Sequence, residues 1–218
     1  MSSTTLISKI HLALERRYGQ KRARRARGNP LDDLILTILS QNTGDTNSRR
    51  AFQMLRRVMP TWEEVHHAPV RKVAEAIASG GLGHLKAVRI KAILNRIHHE
   101  QGHFDLTFLR DLSAEEAKAY LSRFKGIGPK TVACVLLFAL GRPAFPVDTH
   151  VHRVATRLGL VNEQVRPERA QALLESLVPP HLLYSMHLNL VEHGRKICKA
   201  REPLCTVCPL SRLCAYVR

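Results

Sequence analysis

The chain has 218 residues, enough to bury one good core or two modest ones, and carries 34 Lys and Arg against 18 Asp and Glu, a net charge of +16 with histidine neutral. Such a cationic excess points to a polyanionic partner, with nucleic acid the natural candidate. Aromatic residues make up only 5%, which argues against a single-strand binder built on stacking platforms and leaves duplex binding through phosphates open. No apolar run approaches membrane-spanning length, and the amino terminus lacks the apolar core of a secretory signal. A soluble intracellular protein with no membrane partner is therefore expected, cytoplasmic and nucleoid-associated if bacterial.

In chain order, the first distinctive segment is the basic run KRARRAR from Lys21 to Arg27, which suits a solvated or phosphate-contacting loop. Asn29 followed by Pro30 is a helix cap with a first-turn proline, Asp32 and Asp33 suit the positive helix end, and Leu31, Leu34, Ile35, Ile38 and Leu39 form one apolar stripe. Thr61 with Glu64, and Ser113 with Glu116, have capping-box spacing and mark two more helix starts. Val70, Val73, Ala74 and Ile77 fit a helix, as do Leu85, Val88, Ile93 and Ile97, then Ala170, Leu173, Leu174 and Leu177 after Pro167. No run alternates as a strand does. The expected class is all-α with short connections.

Between two predicted helices lies Phe124-Lys125-Gly126-Ile127-Gly128-Pro129-Lys130-Thr131, a glycine hairpin. Gly126 and Gly128 let the backbone turn sharply and present bare N–H groups, and Pro129 presets the first turn of the next helix. Helix-start N–H groups favour an anion, so the hairpin could clamp a nucleic-acid backbone without reading a base. The same residues are equally apt for an ordinary tight turn.

Four of the five cysteines close the chain as Cys198, Cys205, Cys208 and Cys214, spaced C-x6-C-x2-C-x5-C. Four thiolates in one short loop can satisfy a tetrahedral zinc or the irons of a cubane cluster, and spacing alone does not choose between them. Two disulfides would suit a small secreted domain and fit poorly here. Cys134 reads as a small buried hydrophobe.

The segments LSRFKGIGPKTVA around Lys130 and FPVDTHVHRV around Asp148, together with the cysteine array, resemble the endonuclease III family of DNA glycosylases, in the iron-sulfur branch of the helix-hairpin-helix superfamily. The likeness runs from about Asn29 to Cys214. It implies two helical lobes with a DNA-binding cleft between them. Residues 29–140 would form a six-helix barrel carrying the helix-hairpin-helix at about 113–141, and residues 1–28 with 141–218 would form a lobe holding a 4Fe-4S cluster on the four cysteines.

By the same resemblance the protein would be a monomeric base excision repair enzyme acting on double-stranded DNA that contains damaged bases or abasic sites. It would combine DNA N-glycosylase and AP lyase activity on oxidised pyrimidines of the thymine glycol type. Lys130 would supply the attacking amine and Asp148 an ionised carboxylate that assists it. A base inside a duplex must be extruded before it can be attacked, and the gap filled. Gln41 matches the family's inserted glutamine and Leu82 its apolar wedge. Lys199 and Arg201, between the first two cysteines, would grip phosphate, and His150 and His152 would support the site.

Two departures bear on specificity. Where many relatives carry a bulky apolar residue two places before the wedge leucine, this chain has Gly80, with Gly83 just after Leu82, so a more flexible loop is expected. The adenine-mismatch glycosylases place a catalytic glutamate four residues before the inserted glutamine; here that position is Thr37. Those enzymes and the monofunctional thymine-mismatch relatives lack the hairpin lysine, so Lys130 favours the bifunctional chemistry. The rival readings are a non-enzymatic or monofunctional mismatch-type DNA-binding relative and a zinc-stapled helical interaction module.

Overall fold

The computed structural model describes residues 3–23 and 29–217, so Arg24, Arg25 and Arg27 of the basic run lie outside the described residues. The described chain forms α1 (Ser3–Tyr18), α2 (Pro30–Ser40), α3 (Asp45–Val58), α4 (Trp62–His67), α5 (Val70–Ala76), α6 (Gly83–Gln101), α7 (Ala114–Ser122), α8 (Pro129–Cys134), α9 (Thr149–Arg157), α10 (Pro167–Leu177) and α11 (Leu183–Lys196). No strand occurs among the described residues, and no helix is long and apolar enough to cross a membrane. The chain divides into two compact units, Ala26–Leu140 and Met1–Arg25 with Gly141–Arg218.

In the unit Ala26–Leu140, α2 is the central helix. Leu31, Leu34, Ile35, Ile38 and Leu39 are fully buried, because α3, α6 and α8 pack on different sides of it. Asn29 fixes where it starts. Its Oδ1 accepts from the Leu31 and Leu106 amides, both at 3.0 Å, while its Nδ2 donates to the Phe104 carbonyl at 2.7 Å. One side chain thus caps α2 and ties down the loop after α6. Thr61 accepts from the Glu64 amide at 3.2 Å, and Ser113 with Glu116 forms a complete capping box, as their spacing implies.

Leu85, Val88, Ile93 and Ile97 all lie on α6, as their spacing implies, but they do not share one buried face. Ile93 and Ile97 are buried, but Leu85 and Val88 are exposed at 64% and 45%, while Lys86, Ala87 and Ile90 point inward. The helix begins at Gly83, where an added Cβ would lie 3.0 Å from the Ala74 carbonyl oxygen. Gly83 thus seats the start of α6 closely against α5. After Cys134, α8 widens into a π-helical turn, Val135–Ala139, in which the Leu140 amide reaches back to the Val135 carbonyl at 3.1 Å.

In the other unit, α11 packs against α1 and α9, and α10 against α1 and α9. Ile7, Ile10 and Leu14 of α1 and Met186 and Leu190 of α11 are fully buried. At Gly194 an added Cβ would lie 2.9 Å from the His150 Cβ, so a side chain there would push α9 and α11 apart. Lys21, at the start of the basic run, is paired with Glu192 at 3.2 Å.

Candidate functional site

The two hairpin glycines do different work. Gly126 has φ +83, a left-handed conformation that L side chains rarely adopt, and a Cβ there would lie 2.3 Å from Arg89 Nε. Gly128 has φ −90, and a Cβ would meet nothing within 4 Å. The expectation that both glycines bend the chain is corrected: Gly126 makes the turn, and Gly128 leaves bare space at the start of α8. Lys130 stands in the first turn of α8, half-buried, with no hydrogen bond or ion pair to any described residue.

Gln41 caps the carboxyl end of α2, its own amide reaching the Ile38 carbonyl at 3.2 Å. Its side chain is gripped at both ends: Nε2 donates to Thr131 Oγ1 at 3.2 Å, and Oε1 accepts from Arg89 Nη1. Arg89 also lies against Gly126, so this one guanidinium joins the Gln41 loop to the hairpin, and Thr131 is the neighbour of Lys130. Leu82 precedes α6 with φ +50 and is 55% exposed. An exposed leucine in the left-handed region is not a core leucine, and Leu85 extends the exposed apolar surface one turn on.

Gly80 does not loosen this loop. It is buried, a Cβ there would press Ala51 Cβ at 3.1 Å, and its carbonyl accepts from Thr43 Oγ1 and, at 2.7 Å, from Lys86 Nζ. A side chain at 80 would thus need α3 to give by a few tenths of an ångström at Ala51, and one at 83 would need the same of α5 at the Ala74 carbonyl. Thr37, where the mismatch enzymes have their glutamate, donates Oγ1 to the Asp33 carbonyl at 2.7 Å.

On the second unit, Asp148 caps α9: its Oδ1 accepts from the Val151 amide at 2.7 Å, and its backbone carbonyl from the His152 amide at 2.9 Å. The side chain is half-buried, and Oδ2 has no partner among the described residues. The flanking histidines have structural partners. His152 Nε2 donates to the Val165 carbonyl at 2.7 Å, and His150 Nδ1 accepts from Arg153 Nη2 at 3.1 Å.

Cys198, Cys205, Cys208 and Cys214 are all free thiols and line one cavity, together with Arg157 and His193. Among the described residues no three His, Cys, Asp or Glu side chains converge closely enough to hold a single ion as they stand. The sulfurs surround a space. Burial pushes the Cys208 thiol up, and the other three cysteines add to this, so four thiolates could coexist here only around a positively charged group. N–H donors already face the sulfurs: Arg157 Nη1 reaches Cys198 Sγ and the Leu210 amide reaches Cys208 Sγ, both at 3.4 Å. An all-sulfur donor set around a cavity fits a thiophilic metal group.

His193 lies beside Cys208, its Nε2 3.6 Å from Sγ, and accepts from the Tyr18 hydroxyl at 2.9 Å. Burial, helped by Arg17, pulls its pKa down to about 4, and burial pushes Tyr18 up to about 12. A neutral imidazole accepting at Nδ1 has its remaining proton on Nε2, directed at sulfur. Lys199 and Arg201 are exposed. The loop carrying them hangs on two arginines of α9 that the sequence reading missed: Arg153 Nε donates to the Cys198 carbonyl at 2.9 Å, and Arg157 donates to those of Lys199 and Ala200 at 2.7 and 3.2 Å.

Residues 35–180 match the HhH-GPD superfamily of base excision DNA repair proteins. A DNA glycosylase homologue of Arabidopsis thaliana is 46% identical over 168 residues, 77% of this chain and 57% of that one. Endonuclease III of Sulfolobus acidocaldarius is 32% identical over 190 residues, 86% of this chain and 82% of that one. A solved structure, a non-covalent endonuclease III–DNA complex, superposes with a TM-score of 0.84 at 26% identity, over 100% of this chain and 97% of that one. The chain spans little more than half of the first plant protein and 12% of the DNA glycosylase/AP lyase ROS1 from the same plant.

Proposed function

Since the chain belongs to the HhH-GPD superfamily of base excision DNA repair proteins, in its endonuclease III branch, we propose that it is a bifunctional DNA glycosylase and AP lyase acting on damaged duplex DNA. The observation that carries this reading is Lys130: a half-buried amine in the first turn of α8, without a partner among the described residues, beside the Thr131 that holds Gln41. Its place in the family's hairpin motif, with no protein oxygen holding the amine among the described residues, leaves Nζ available as a nucleophile.

In the proposed reaction the neutral Lys130 amine attacks C1′ of the damaged nucleoside and the base leaves with the glycosidic electron pair. The amine loses a proton, the sugar ring opens, and a Schiff base joins Nζ to C1′. Loss of a C2′ proton then expels the 3′ phosphate by β-elimination and nicks the strand. Asp148 is the carboxylate this chemistry calls for, taking a proton or stabilising positive charge on the sugar. Its bond to the Val151 amide fixes Oδ1 and leaves Oδ2 for that task. Gln41 and Leu82 would fill the gap left by the extruded nucleotide, with oxidised pyrimidines and abasic sites as the substrate class.

Cys198, Cys205, Cys208 and Cys214 would hold a 4Fe-4S cluster, whose iron–sulfur bonds staple the loop that presents Lys199 and Arg201 to phosphate. The test is covalent trapping. Borohydride should fix the purified protein to duplex DNA carrying thymine glycol or an abasic site, and Lys130→Ala should abolish the adduct. A wild-type protein that binds such duplexes but traps on none would leave the non-enzymatic or monofunctional reading in its place. A brown preparation with visible absorbance is expected; a colourless, zinc-loaded native protein would refute the cluster.

A further inference from the structure

Lys86 is only 3% exposed, and among the described residues no other Lys, Arg, Asp or Glu is buried to that degree. No carboxylate among the described residues compensates it. Its ammonium instead donates to three oxygens: the Leu39 carbonyl at 2.7 Å, the Gly80 carbonyl at 2.7 Å and Thr43 Oγ1 at 2.8 Å. All three ammonium hydrogens are used, which is what makes an unpaired buried cation tolerable.

The positions of those acceptors carry the argument. Leu39 and Thr43 stand two residues on either side of Gln41, and Gly80 stands two residues before Leu82. Thr43 Oγ1 in turn donates to the Gly80 carbonyl, and the Lys86 amide donates to the Leu82 carbonyl at 3.0 Å. Lys86 therefore grips the Leu82 loop through both its backbone and its side chain, and the Gln41 loop from both sides. Leu82 sits at φ +50, a conformation that is strained for a leucine and persists only where its surroundings hold it. A leucine or methionine would fill the Lys86 position as well by volume, but could not bind three oxygens from two loops.

We infer that Lys86 is a positioning residue that locks the Gln41 and Leu82 loops in register, so that both side chains enter an opened base pair together. This rests on the DNA glycosylase reading above. The rival role is plain capping of α2 through Leu39, which would affect stability without affecting how bound DNA is opened.

The test separates the two. Wild type and Lys86→Met are titrated with a duplex holding a tetrahydrofuran abasic analogue opposite 2-aminopurine, whose fluorescence rises when it unstacks. Wild type should bind with a clear rise. Lys86→Met should bind within about tenfold of wild type with the same salt dependence, since its phosphate contacts are intact, yet lose most of the rise. Thr43→Val, which removes one acceptor while keeping shape, should lose a smaller part of it, and decides the matter if Lys86→Met fails to fold. A Lys86→Met protein that binds and gives the full wild-type rise would overturn the positioning role while leaving the glycosylase reading intact. A wild type that binds without any rise would overturn both.

Discussion

Replacing Gly126 with alanine should expose how the hairpin is braced. Two costs are separable. An alanine held at φ +83 loses about 1–2 kcal/mol relative to glycine. Its Cβ would also lie 2.3 Å from Arg89 Nε, so the guanidinium must swing away and release Gln41 Oε1. For a half-buried charged donor that loss is about 1 kcal/mol, giving a total of about 2–3 kcal/mol. Urea melts of Gly126→Ala, Arg89→Ala and the double variant form the assay. Arg89→Ala alone should cost about 1 kcal/mol, and the double variant no more than Gly126→Ala alone, because the collision and the lost bond are one event, a coupling of about 1 kcal/mol. A Gly126→Ala protein within about 0.5 kcal/mol of wild type, or a double variant equal to the sum of the singles, would refute this account.

Gly128→Ala should behave in the opposite way: with ordinary φ and open space it should change stability by less than about 0.5 kcal/mol, yet weaken affinity for abasic duplex about tenfold by standing where a phosphate would approach; unchanged affinity would remove Gly128 from the interface. Asp148→Asn retains an amide oxygen able to cap α9, so melting should shift by less than about 0.5 kcal/mol while trapping falls about 100-fold; Asp148→Ala should lose about 1 kcal/mol of stability as well, and full trapping by the asparagine variant would reduce Asp148 to a cap. Lys199→Ala and Arg201→Ala should each weaken binding to all duplex sequences alike and reduce the slope of log affinity against log salt by about one, and a slope left at the wild-type value would show that the residue touches no phosphate.

The features that were legible in the sequence are the local ones. Asn29, Thr61, and Ser113 with Glu116 each cap an amide within three residues, so spacing locates the helices they begin, though not the second bond of Asn29 to Leu106. The glycine hairpin could be located, but not the division of labour within it, because what distinguishes Gly126 from Gly128 is a guanidinium 37 positions away in the chain. The inward face of α6 is not legible for a related reason. Periodicity sorts residues by polarity, and here a lysine points in while Leu85 and Val88 point out. Arg153 and Arg157 are two among 34 basic residues, and the carbonyls of Gly194, Cys198, Lys199 and Ala200 that they hold lie 41 to 45 residues away, beyond any local pattern.

The contact between Gly80 and Ala51 makes two distant positions interchangeable only as a set. With 3.1 Å between a hypothetical Cβ at 80 and the methyl of Ala51, a loop grafted from a relative with a bulky residue at this point would wedge against α3 before it ever met DNA. Such a chimera needs compensation at position 51, and Ala51→Gly is the smallest change that provides it. A loop transplanted into this scaffold therefore keeps its own geometry only when position 51 is changed along with it.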